Sequence, residues 1–308
     1  MDFWNMTMGI FFLSQSTTGI LGNISLLSSY LSLYYRKCIL KPTDLILMHL
    51  MIVNPLIILS KGVPHIIAAF GWKQFFTDFG CRLSLYIERV CRSMSIASTC
   101  LLSVFQAITI SPRVSCWKDH KVRAPKHIGL SISFCWVLYM VVNFLFPVLA
   151  NIKRNTKNIT GQRDFEYCFI TNRNEITVSL YIALLAFPEV LFSVLMVWSS
   201  SFMVVILYRH KQRVQYIRRA HDSTRTSPDS RATQSILALV STFLASYTLS
   251  SILQGSIALL YNPDWWLMNV TSFVSLCFPS FGPFVLMNHE SIVSRLCLVF
   301  MRNKNISK

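Results

Sequence analysis

A chain of 308 residues that is 53% hydrophobic and only 14% charged, with a mean hydropathy of +0.47, lies far from soluble domains, where about a quarter of residues are charged. Its 29 Lys and Arg residues outnumber 13 Asp and Glu, giving a formal charge of +16. Because the basic residues cluster in short stretches between long apolar blocks, membrane topology accounts for the charge and no nucleic-acid partner is needed.

Seven blocks are long enough to cross about 30 Å of hydrocarbon as helices of roughly 20 residues. They fall near 9–35, 44–67, 81–110, 128–150, 177–208, 232–260 and 265–287, with a tail at 288–308. The expected fold is an all-α membrane protein, one seven-transmembrane helix bundle over 1–308. The first block is diluted by Ser14, Gln15, Ser16, Thr17, Thr18 and Asn23, but no basic stretch precedes it, so it reads as a retained anchor.

Most Lys and Arg residues lie in the segments between the first and second, third and fourth, and fifth and sixth blocks, and in the tail. Arg113, Arg209, Lys211 and Arg231 belong to this set, which the positive-inside rule places in the cytoplasm. The N-terminus is then extracellular and the C-terminus cytoplasmic, with a basic face turned toward anionic lipid and any cytoplasmic partner. Two glycosylation sequons, at Asn5 and Asn158, fall outside in this arrangement.

Of nine cysteines, Cys91, Cys100, Cys135 and Cys277 lie within spans as small packing residues. Cys81 opens the third span on the outer side and Cys168 lies in the long outer loop 151–176, so an oxidising compartment would pair them.

The third block carries an unusual stretch, YIERVCRSM, with Glu88, Arg89 and Arg92 inside an apolar segment. At 100° per residue, Arg92 and Arg89 lie about 40° and 100° around the helix from Glu88, and a polar stripe continues through Ser95, Thr99, Ser103 and Gln106. Facing lipid, one such charge costs at least about 2.5–3.5 kcal/mol, so the stripe must face the bundle interior and the third helix must be central. A rise of 1.5 Å per residue puts Glu88 roughly 10 Å and Arg92 roughly 16 Å below Cys81, the depth of an outward-opening pocket.

Glu189, beside Pro188, is the only charge in the 32 residues of the fifth block. It can pair with Arg89 or Arg92 or touch a ligand. The alternative is architectural, an i,i+4 pair between Glu88 and Arg92 with Glu189 balancing Arg89. Either way, Glu88, Arg89, Arg92 and Glu189 are the candidate ligand-binding residues, for an apolar molecule bearing polar groups.

Zinc-ligand spacing among the seven histidines, a G-x-S-x-G elbow and a phosphate-binding loop are all missing from the sequence, so no enzyme, metal or cofactor is expected. A transporter or channel would tolerate the polar stripe, but internal repeats or charges on several helices would be expected and neither is visible.

Six stretches resemble the vomeronasal type-1 receptors, within the seven-helix G-protein-coupled receptors. They are KPTDLILMHL, CLLSVFQAITISPR, KVRAPKHI, VLMVWSSSFMVVILYRHKQRVQYI, RATQSILALVSTF and FPSFGPFVLMN, and they span nearly the whole chain. The resemblance implies a plasma-membrane chemosensory receptor of vomeronasal neurons that detects pheromone-like small molecules. It also implies coupling to an inhibitory-class heterotrimeric G protein, with phospholipase C signalling downstream. A bitter-taste-type receptor is the nearest rival, disfavoured by SVFQAITISP and by Trp198-Ser199-Ser200. Relative to the wider rhodopsin-like group, Val104-Phe105-Gln106 replaces the acidic-basic triplet before Pro112, Asn54 stands at the sodium-site aspartate, and Gly282-Pro283 ends at Leu286 instead of a tyrosine.

Overall fold

A computed structural model describes residues 3–36, 42–70, 78–110, 118–149, 175–218, 228–259 and 264–289. Among them are seven helices long and apolar enough to cross a membrane, and no strand. Helices are the expected solution, since hydrocarbon offers backbone amides no partner outside the chain. We label them α1 (Phe3–Tyr35), α2 (Pro42–Ala69), α3 (Asp78–Ile110), α4 (Lys118–Leu149), α5 (Glu175–Arg218), α6 (Pro228–Leu259) and α7 (Trp265–His289). Several run past their apolar blocks; α5 continues to Arg218 through the basic stretch that begins at Arg209.

Helix α3 is the axis of the bundle and packs against α2, α4, α5 and α6. Within its apolar window 67% of residues are buried, against 17% for α4 and α5, which spend most of their surface on lipid. The polar stripe explains this, because only the helix that others surround can carry it. The ring closes where α7 packs on both α6 and α1. A core of Phe12, Tyr30, Ile46, Leu47, Leu50, Met94, Leu102, Met196 and Phe243 fills the space between helices, all essentially inaccessible. Under the site, Phe243 stacks on Tyr247 and meets Phe278 edge-on, joining α6 to α7.

Prolines shape two helices. Pro55 stands shortly before a single π-helical turn, Ile58–Gly62, that divides α2. A π turn carries an extra residue and rotates the remainder of its helix, and such turns recur at functional sites. In α7, Pro283 lacks the N–H that would bond to the carbonyl of Pro279. That carbonyl is satisfied by α1 instead: Asn23 Nδ2 donates to Pro279 O at 2.9 Å and to Gly19 O at 2.7 Å. Asn54 Nδ2 of α2 in turn donates to Asn23 Oδ1 at 3.2 Å. The aspartate position is thus part of a neutral amide chain linking three helices.

The same seam has no room for a side chain at Gly19. A Cβ there would lie 2.8 Å from Ser280 Oγ and 2.9 Å from Ser280 Cα, a backbone atom that cannot step aside. Gly19→Ala is therefore expected to destabilise the protein by about 1–3 kcal/mol, the usual cost of overpacking. Gly129→Ala, where nothing lies within 4 Å, should leave thermal stability in detergent unchanged, and equal melting of the two variants would contradict the close α1–α7 contact.

Candidate functional site

The charges of α3 are met from two sides. Arg92, 7% exposed, uses all three guanidinium nitrogens. Nε donates to Glu189 Oε1 of α5 at 3.1 Å, Nη1 to Ser250 Oγ of α6 at 3.0 Å and Nη2 to Ser251 Oγ at 2.8 Å. Ser251 Oγ donates to the second Glu189 oxygen at 2.9 Å, which closes a ring of three residues from three helices. The guanidinium carbon also sits 4.8 Å from the centre of the Tyr247 ring, within cation–π range. From Ser250 the network continues to Ser275 Oγ at 2.6 Å, and Gln254 Nε2 donates to both hydroxyls at 3.3 Å. We call this assembly the Arg92 clasp. An arginine suits it, because a planar fork of five N–H donors can satisfy several acceptors at once, which a lysine cannot.

One helical turn toward Cys81, Glu88 accepts a 2.8 Å hydrogen bond from Lys61 Nζ, with both side chains largely buried. Lys61 lies on the π turn of α2, and a second contact pins that turn to α3, where Ser84 Oγ donates to the carbonyl of Ser60. Next along α2, His65 shares a 2.7 Å hydrogen bond with Ser272 of α7 and stacks on Phe12 of α1. The two ion pairs therefore join α3 to α2 and α5, and the serine hydrogen bonds of Arg92 add α6. Buried pairs of this kind contribute little net stability when intact, but an unpaired buried charge costs about 3–5 kcal/mol.

Of the two pairings open from sequence, Arg92 takes Glu189, and Glu88 is held by Lys61 rather than by Arg92 one turn away on its own helix. Arg89 lies half-buried on α3 between them. Cys81 is buried at the start of α3 and disulfide-bonded. Cys168, Arg113 and Asn158 lie outside the described residues, as do the side chains of Lys211 and Arg231. Arg209 is exposed on the extension of α5, and Asn5 is half-buried in the first turn of α1. Among the described residues no group of three or more His, Cys, Asp and Glu could hold a metal ion.

Lys61 is the site residue that sequence reasoning does not single out. Its signal is present, a lone cation in the apolar block 44–67, at the same depth as the charges of α3. The serines and the glutamine of α6 and α7 leave a weaker trace, as polar residues in otherwise uncharged spans.

Six apolar helices around one charged central helix, with ion pairs reaching it from both sides, define a heptahelical membrane bundle. Residues 6–299 match the family described as the vomeronasal organ pheromone receptor family. The chain is 50% identical to human (Homo sapiens) vomeronasal type-1 receptor 4 over 94% of its length and 96% of that protein's. It is 49% identical to human vomeronasal type-1 receptor 2, over 94% of this chain and 73% of that one. At 27% identity it also resembles zebrafish (Danio rerio) olfactory receptor class A-like protein 1, over 94% of this chain and 90% of the other. The protein belongs to the vomeronasal type-1 receptor family. It is a chemosensory G-protein-coupled receptor and a multi-pass protein of the plasma membrane, not an enzyme, and neither the taste-type nor the transporter reading is favoured.

Proposed function

We propose that the receptor, with its N-terminus outside, binds a pheromone-like small molecule in the half of the bundle nearer Cys81, against Glu88, Arg89, Arg92 and Glu189. Lys61 joins this set. A disulfide between Cys81 and Cys168 holds the long outer loop over the cavity, and Asn5 and Asn158 carry glycans. On the inner face, Arg113, Arg209, Lys211 and Arg231 meet a heterotrimeric G protein of the inhibitory class.

The observation that carries this reading is the Arg92 clasp. It ties α3, α5 and α6 at one point, so a ligand that takes over any of its hydrogen bonds alters how those three helices sit together. Binding shifts the population toward a signalling arrangement only to the extent that the ligand prefers that arrangement. Lipid-facing charge would be costly, so the clasp must stay inside the bundle whichever state prevails.

Calcium imaging tests the proposal in cells expressing the receptor with a promiscuous G protein, challenged with pools of vomeronasal ligands. Arg92→Ala of matched surface expression is expected to need more ligand for the same response, by about tenfold for each 1.4 kcal/mol of lost contact. Equal responses in the two receptors would move the ligand away from the clasp.

A further inference from the structure

On the other flank of the clasp, α3, α4 and α5 enclose a small niche lined by Ser93, Tyr139, Asn143, Pro188, Glu189 and Phe192. Its volume is about 20 Å³, above the roughly 10–15 Å³ that one water-sized group requires. Asn143, 2% exposed, donates its Nδ2 to Tyr139 O at 2.9 Å, and its Oδ1 has no hydrogen-bond partner among the described residues. A buried acceptor left so costs about 1–3 kcal/mol, which makes this amide oxygen a place where a donor is wanted. Glu189, whose carboxylate Arg92 and Ser251 hold, forms one wall.

The neighbouring surface is apolar and exposed. Phe187, Val190 and Phe144, each one residue from a niche residue, are 71%, 61% and 61% exposed. An occupant must therefore offer one small donor to Asn143 Oδ1 and an apolar body to the exposed surface beside it. A cationic donor fits poorly, because the single carboxylate is already paired with Arg92.

We propose that this niche is a second binding site, which takes the hydroxyl of an uncharged, membrane-dissolved alcohol and thereby touches the Glu189 carboxylate from the side opposite the ligand cavity. The hydroxyl donates to Asn143 Oδ1, and the hydrocarbon lies between α4 and α5. Such an alcohol acts on the clasp through Glu189, so it modulates the receptor from the bilayer.

Photolabelling of purified receptor in lipid nanodiscs tests the site without any signalling readout, so its outcome does not depend on the proposed ligand cavity. The probes are a diazirine-bearing octanol and its methyl ether, which has the same body and no donor. The alcohol is expected to label Tyr139 and Phe192 about fivefold more than the ether, the occupancy difference of one net hydrogen bond. Asn143→Leu should reduce alcohol labelling to the level of the ether. Ser93→Met, which fills the niche and leaves the amide intact, should do the same and serves where Asn143→Leu does not fold. Equal labelling by alcohol and ether, adducts spread over the lipid-facing surface, or full labelling in a folded variant would each overturn the proposal.

Discussion

Cells expressing Glu189→Gln are expected to show G-protein activity without ligand, well above that of the wild type at equal surface density. The substitution keeps an amide oxygen that can accept from Arg92 or Ser251 but removes the charge that makes the clasp ring strong, since charge-assisted hydrogen bonds are about twice as strong as neutral ones. If the ring favours the resting arrangement of α3, α5 and α6 by about 1.4–2.8 kcal/mol, its loss multiplies the active population about 10- to 100-fold. Arg92 is left buried with one neutral partner in place of its counter-ion, a strained state that also lowers expression. The double variant Arg92→Gln, Glu189→Gln separates the two effects, since no charge remains uncompensated. It should express normally and still show raised basal activity. Wild-type basal activity in both variants, measured per receptor at the surface, would reduce the clasp to architecture.

The second large effect concerns Lys61 and Glu88. Lys61→Ala leaves the Glu88 carboxylate buried without its 2.8 Å partner, and Glu88→Ala strands the ammonium. Each single change should destabilise the receptor by about 3–5 kcal/mol, read as loss of folded, surface-expressed protein and a lower melting temperature in detergent. The paired change Lys61→Met, Glu88→Met removes both charges and keeps the volume, and buried pairs replaced in this way are often neutral or more stable. Recovery of stability by the double variant, together with failure to respond to ligand, would assign the pair to recognition. Full recovery of both would mean that the pair only sets the packing of α2 on α3.

Much of this arrangement could be read from residue order. Apolar block length fixes the number of spanning helices, and the arc shared by Glu88, Arg89 and Arg92 identifies α3 as the central one, because periodicity and hydration cost are local quantities. Pairing is not local. Glu88 has Arg92 one turn along its own helix and Lys61 across the interface, and spacing alone favours the former. The π turn at Ile58–Gly62 helps decide it, by rotating Lys61 toward α3, and no composition rule forecasts a single extra residue in one turn. The serines of the clasp are equally silent, since a serine in a span can bond to its own helix as readily as to a neighbour. Thr248 does the first, to Leu244 O at 2.6 Å, and Ser251 of the same helix does the second.

The seam between α1 and α7 bears on how the chain is made. Asn23 reaches the carbonyl that Pro283 leaves open, and Gln15 Nε2 donates to Phe273 O at 3.3 Å, so the helix synthesised first holds amides whose acceptors are synthesised last. Until α7 enters the bilayer, Asn23 has Gly19 O for one of its two N–H groups, and neither the other nor the Gln15 amide has its α7 acceptor, for which hydrocarbon provides no substitute. Closure of the α1–α7 seam is therefore expected late in folding, and chains truncated before Pro279 should yield less folded protein than the full chain.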